Sequence, residues 1–160
     1  MQHHHPSHQI ALLAPIQGFT LVELIVVLVI IGILAVSAIP RFFDQNSFNN
    51  RGFYDQTLSA LRYAQKAAIA QRRTVCVAFT SNSLSLTIAA TADVGTCSLN
   101  LANPAGGSPF TVTARTTGTY TTLPTAFNFN ALGQASAGQV INITSVGAIT
   151  VEQETGYVHN

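Results

Sequence analysis

From Phe19 to Ile39 the chain reads FTLVELIVVLVIIGILAVSAI, 21 residues with a single ionisable side chain, Glu23. A run of this kind leaves few folds open. At a helical rise of about 1.5 Å per residue it is about 32 Å long, which matches the hydrocarbon core of a bilayer at about 30 Å. Its Val and Ile content disfavours a helix in water, but in lipid every backbone N–H and C=O needs a partner inside the segment, so a lone span must be helical. The run is also longer than the apolar region of a cleaved secretory signal, about 7–15 residues. No Lys or Arg precedes it, and the stretch Ala35 to Ala38 is followed by Pro40 and a helical pattern rather than by a mature N-terminus.

Glu23 is the most informative residue in this run. A carboxylate in the upper part of a spanning helix costs about 2.5–3.5 kcal/mol on insertion scales, and such groups usually have a partner. No Lys or Arg lies within a helical turn of it. The expected partner therefore comes from outside the side chains of this chain; the plainer alternative is a carboxyl near the headgroups or protonated. The preceding segment holds His3, His4, His5 and His8, a tract that could bind metal or be a tag but reads best as a polar leader at a mobile end.

Charge is scarce overall, and the scarcity is concentrated in this run. Only 8% of the 160 residues are charged and the formal net charge is +1, which excludes a disordered solvating chain and a nucleic-acid binder basic over its whole surface. The length allows one ordinary domain with an appended helix. Pro40 removes a backbone donor and is expected to kink the helix or start a new segment, with Phe42 and Phe43 as interfacial anchors. Phe53, Tyr54, Leu58, Leu61, Ala64, Ala68 and Ile69 then recur at spacings of three and four, so residues 51–72 read as an amphipathic helix. Asp55, Gln56, Ser59, Arg62, Gln65, Lys66 and Arg73 form its polar face.

After Arg73 the pattern turns strand-like. Residues 74–80 and 83–90 alternate around Ser81-Asn82 and predict a hairpin. Weaker strands are predicted at 110–113, 117–123, 126–130, 140–144 and 148–152, with turns at 103–108, at Leu132-Gly133-Gln134 and at Gly147. The fold class is α+β: a long N-terminal helix packed on an antiparallel β-sheet head.

Gly18-Phe19-Thr20-Leu21-Val22-Glu23, the apolar run and Pro40 together resemble the class III signal of type IV pilins and type II secretion pseudopilins. The resemblance implies cleavage between Gly18 and Phe19 by an inner-membrane prepilin peptidase and methylation of the new Phe19 amine. It also implies that Glu23 pairs with the N-terminal amine of a neighbouring subunit during assembly. Physically, opposite charges attract more strongly in a low dielectric, and each relieves the insertion cost of the other. One departure is that such leaders carry Lys or Arg before the Gly, where this chain has Gln17 and histidines. Charge asymmetry therefore gives little support to the orientation, which the resemblance alone places with the head in the periplasm.

The organisation that follows is a leader at 1–18, a membrane-spanning half-helix at 19–39, an amphipathic half at 40–73 and a periplasmic head at 74–160. The partners it implies are other pilins or pseudopilins, the peptidase, the inner membrane and its assembly platform. The segment 59–70, Thr74-Val75, Phe129-Asn130-Ala131-Leu132-Gly133 and Ile141-Asn142-Ile143 are similar to the FimT/GspH class of minor pilins and pseudopilins. Residues 41–44, 51–55 and 154–159 further resemble a minor pilin of the mannose-sensitive haemagglutinin (MSHA) pilus. These resemblances imply a structural minor pilin in an initiating or tip complex, a type II secretion pseudopilin being the alternative.

Cys76 and Cys97 fit neither a CxxC redox pair nor a zinc site. In an oxidising periplasm they most simply form one disulfide, with two buried free thiols as the alternative. Nothing points to an enzyme, a cofactor or a metal centre. His159 is the only histidine outside the leader, too close to the end for a Ser/His/Asp relay, and Asp93, Glu152 and Glu154 read as surface solvation rather than a catalytic pair. DNA capture is the rival binding function. Six of seven basic residues, Arg41, Arg51, Arg62, Lys66, Arg72 and Arg73, precede the head, and beyond them Arg115 faces Asp93, Glu152 and Glu154, so the head lacks the basic stripe that phosphate neutralisation needs.

Overall fold

The computed structural model describes residues 18–43, 45–92, 94–115 and 118–160, without the side chains of residues 36–43. The leader up to Gln17, the anchoring role of Phe42 and Phe43, and Asp93 therefore lie outside the described residues. The chain divides into two compact units, residues 1–40 and Arg41–Asn160.

The first unit holds most of one helix. Helix α1 spans Leu21–Phe43, so its backbone remains helical through Pro40. The second unit takes in the last residues of α1 and then helix α2, Gln45–Gln71, which begins six residues earlier than the periodicity from 51 predicts. Its buried residues, Asn50, Phe53, Tyr54, Thr57, Ala60, Leu61, Ala64, Ala67 and Ala68, keep the spacing of three and four that puts them on one face. The predicted stripe is corrected at its end: Ile69 is 48% exposed, and Thr57 is fully enclosed in its stead. The helix stops at Arg72, which takes φ 50°, while Arg73 N–H donates to Ala68 O at 3.1 Å and Arg72 N–H to Ile69 O at 3.3 Å. This is a Schellman cap with Arg where Gly is usual.

The head holds two antiparallel sheets. In the larger, β1 (Val75–Thr80) and β2 (Ser83–Ile88) form the predicted hairpin, with Val75 opposite Ile88 and Thr80 opposite Ser83. Val75, Val77, Leu84, Leu86 and Ile88 point to the core and alternate with less buried neighbours, the period-two signature of a half-buried sheet. Strand β3 (Leu99–Asn100) and strand β4 (Phe110–Thr113) both pair with β2, and β5 (Phe127–Phe129) pairs with β1. The smaller sheet runs β6 (Gln139–Ile143), β7 (Gly147–Val151) and β8 (Val158–His159).

The strand predicted at 117–123 is not one. Its described part makes a single bridge, Tyr120 to Ile143, because its bonds are divided between the sheets: Tyr120 N–H donates to Ser81 O, and Thr121 N–H to Asn142 O. It thereby places Tyr120 between Phe53 and Phe79, at ring-centroid distances of 5.2 and 5.5 Å. Gly118 is required for that approach, since a Cβ there would lie 2.8 Å from the Ala114 Cβ and 3.2 Å from that of Phe53. Tyr120 is buried, and desolvation pushes its phenol up to about 12. The nearby Thr57 hydroxyl tempers the shift, although the two buried hydroxyls are not placed for a proper hydrogen bond. The turn predicted at Gly147 falls earlier, on Ser145 at φ 64°, and Gly147 already belongs to β7.

Helix α2 covers both sheets. Leu61, Ala60, Ala64 and Ala68 meet Phe129, Leu84 and Leu86 of one sheet and Ile141, Ile149 and Val158 of the other in one core. Polar side chains along the helix reach the C-terminal third in the same sense: Asn50 Nδ2 donates to Thr144 O at 3.2 Å, Tyr54 OH to Ala148 O at 3.2 Å, and Arg62 Nε to Val158 O at 3.1 Å. Gln65 Nε2 donates to Thr155 O at 2.9 Å and to Gly133 O at 3.3 Å. Under that amide the backbones of Gly133 and Gly156 touch so closely that a Cβ on Gly156 would sit 1.8 Å from Gly133 O.

Candidate functional site

The residues singled out in the apolar run share one turn of chain. Thr20 caps α1: its Oγ1 accepts from Glu23 N–H at 3.2 Å and its carbonyl accepts from Leu24 N–H at 3.2 Å. Threonine at the N-cap with glutamate three residues on is the capping-box pattern, and the carboxylate of Glu23 lies in the first turn, where the helix dipole favours negative charge. This role for Thr20 was missed in the sequence, although Thr20-x-x-Glu23 signals it. Gly18 and Glu23 are exposed and Phe19 is 83% exposed.

Below Glu23 the helix is bare. Leu21 to Leu34 include no buried side chain. Among the described residues no helix is long and apolar enough to cross a membrane, the described side chains of α1 ending at Ala35. Glu23 has no ion-pair partner there; the ion pair found among the described residues, His159 with Glu152 at 3.1 Å, is in the head. A carboxylate on an uncovered apolar helix can accept a cationic donor from another chain.

The structure does not bring the other predicted residues to this turn. Pro40 lies 17 residues down α1, about 26 Å along the axis. Cys76 and Cys97 form a disulfide in the head with Cα atoms 6.0 Å apart, tying β1 to the loop before β3. Of the basic residues weighed for DNA, Arg62 donates to Val158 O and the Arg73 guanidinium to Ala90 O. Asp93 being undescribed, the carboxylates weighed for a pair reduce to Glu152, held by His159, and the exposed Glu154. Hydrogen bonds that the His159 imidazole donates to the Glu152 carboxylate and to the Asn160 carbonyl raise its affinity for a proton above the usual value.

The family described as the prokaryotic N-terminal methylation motif matches residues 14–39, which contain Gly18, Phe19 and Glu23. The chain is similar to the type IV narrow pilus major component PilA5 of Thermus thermophilus, 37% identical over 58% of this chain and spanning 63% of that relative. It is also similar to two proteins of Pseudomonas aeruginosa, each named fimbrial protein, 30% identical over 80% of this chain and 78% of each relative. No solved structure gives a significant match. With the signal motif at the head of α1, a helix packed on antiparallel sheets behind it, and relatives matched over most of their length, the chain belongs to the type IV pilins.

Proposed function

We propose that the chain is a precursor held in the bacterial inner membrane by residues 19–39, with its head in the periplasm, and that it is cut between Gly18 and Phe19, methylated on Phe19 and added to a filament through α1. The observation that carries this reading is the exposed Glu23 in the first turn of an uncovered apolar helix, with no ion-pair partner among the described residues. Cleavage creates a terminal ammonium four residues upstream of Glu23. In a filament the ammonium of one subunit and the carboxylate of the next neutralise each other in a medium of low dielectric, where the attraction is strong and either charge alone is costly.

The finer assignment is a minor pilin of the MSHA type in an initiating or tip complex. The resemblances at 41–44, 51–55 and 154–159 support the MSHA type; those at 59–70, 74–75, 129–133 and 141–143 support a minor pilin and fit a type II secretion pseudopilin as the second reading. DNA capture has less support, because Arg62 and Arg73 already donate to backbone carbonyls of their own head. N-terminal sequencing of the protein from sheared filaments tests the proposal. Methylated Phe19 at position one is expected, and a start at Met1 refutes it.

A further inference from the structure

The first turns of α2 carry a surface that the core leaves unused. Phe48 is 80% exposed, although Asn50 and Phe53 close to it in the chain are enclosed. Beside its ring a cavity of about 270 Å³ is lined by Phe48, Gly52, Phe53, Thr113 and Arg115. A Cβ at Gly52 would meet nothing within 4 Å, so the helix side of this cavity is open. Arg115 is exposed, and so is Arg51, one turn of helix beyond Phe48; neither has an ion-pair partner among the described residues. The nearby carboxylate of Asp55 lines a neighbouring cavity with Ser59 and Phe110 instead, and Glu154 lines another with Asn130 and Gln134. An uncovered aromatic ring beside guanidinium groups is the combination that settles at a bilayer surface, the ring at headgroup depth and the cations on phosphates.

The chain itself delivers this surface to such an interface. Helix α1 runs to Phe43 and α2 starts at Gln45. With about 1.5 Å for each helical residue and at most about 3.6 Å for each residue of the join, Phe48 lies within about 18 Å of Ile39, where the apolar run ends. In the join Arg41 and Asp44 offset each other, which leaves Arg51 and Arg115 to set the sign of this end. The far end of α2 has no such tether: Ile69, with Gly133 against it, is about 32 Å along the helix axis beyond Phe48.

We infer that in the membrane-held precursor the Phe48–Arg115 surface docks on the bilayer, Phe48 entering the headgroup layer while Arg115 and Arg51 pair with the phosphates of anionic phospholipid. The inference rests on the reading of residues 19–39 as the membrane span. The chain contains no tryptophan, so Phe48→Trp gives it a single fluorescent reporter, and Leu132→Trp, at a position 78% exposed beside the far end of α2, is the control. Circular dichroism equal to the parent checks that each variant keeps the fold. Each full chain is reconstituted into vesicles of phosphatidylcholine, with and without phosphatidylglycerol, and into the same mixtures carrying acyl chains brominated near the headgroup. In the anionic vesicles the emission of Phe48→Trp shifts to the blue and is quenched by the brominated lipid, whereas Leu132→Trp keeps the emission of an indole in water. At about a factor of five for each arginine near an anionic surface, adding Arg51→Gln and Arg115→Gln lowers the ratio of docked to undocked head about 25-fold. Vesicle flotation of the same samples separates the two possible failures. A chain that does not float with the vesicles overturns the span, and the docking with it. A chain that floats while Phe48→Trp stays unshifted and unquenched, or is quenched no more than Leu132→Trp, overturns the docking alone. Quenching that is equal in neutral and anionic vesicles and indifferent to the arginine changes overturns the pairing with anionic lipid.

Discussion

Replacing both Cys76 and Cys97 by Ser removes a cross-link with a sequence separation of 21. In the chain-entropy account, closing a loop of that length costs the unfolded chain about 11 cal/mol/K, or about 3 kcal/mol at 25 °C. The folded head loses little else, because Cys76 and Cys97 are only partly buried and the β1 pairings with β2 and β5 on either side of Cys76 do not depend on its sulfur. The second compact unit, Arg41–Asn160, unfolds with an entropy of about 250 cal/mol/K at the usual value per residue, so the loss corresponds to a melting temperature lower by about 13 °C. The assay is near-ultraviolet circular dichroism of the full chain in detergent. Tyr54, Tyr63 and Tyr120 all belong to or pack against the head core, whereas α1 contains no tyrosine, so the signal reports the head. A decrease below about 3 °C refutes the argument that this bond acts by restricting the unfolded chain.

Glu23→Val leaves membrane insertion and processing largely intact but lowers recovery in sheared filaments; recovery equal to the parent contradicts the pairing assigned to Glu23. Gly18→Arg leaves an uncleaved precursor, seen as a slower band on a gel, and a band of mature size overturns the assigned cleavage site. Gly156→Ala destabilises the head by about 3 kcal/mol, since φ 62° is strained for alanine and its Cβ forces apart the Gly133 contact that Gln65 spans; denaturant titration measures it. The His159 imidazole has its affinity for protons raised by Glu152, so the stabilisation it gives is fully present below its unfolded value of 6.5 and disappears as pH rises through the higher folded value. Hydrogen exchange at Val158 and His159 is therefore slower near about pH 5.5 than about pH 8 beyond the intrinsic rate change, and His159→Gln abolishes the excess.

What the sequence made legible follows from which physical signals are local. The β1–β2 hairpin and β4 stand where alternation placed them, because one face of each strand is buried. Strands β3 and β8 have two residues each, too few for a period to show. The alternation at 117–123 misled because those bonds are shared between two sheets, a choice made by residues far away in the chain. The end of α2 carried no glycine signal, the left-handed position being taken by Arg72. Glu23 was legible because one carboxylate stands out in an apolar run. The Gly133–Gly156 contact was not, since two glycines 23 positions apart say nothing of each other until Gln65 and the sheets bring them together.

The hydrogen bonds from α2 to the C-terminal third bear on the timing of biogenesis. Their acceptors follow their donors by 90 to 96 residues. At a synthesis rate of about 5–20 residues per second, Asn50, Tyr54, Arg62 and Gln65 wait about 5–20 seconds for their carbonyls to be made. For that interval the apolar stripe of α2 has emerged from the ribosome without the smaller sheet that covers part of it. The smaller sheet therefore closes on α2 only after the segment around residues 144–158 has been made, late relative to the β1–β2 hairpin.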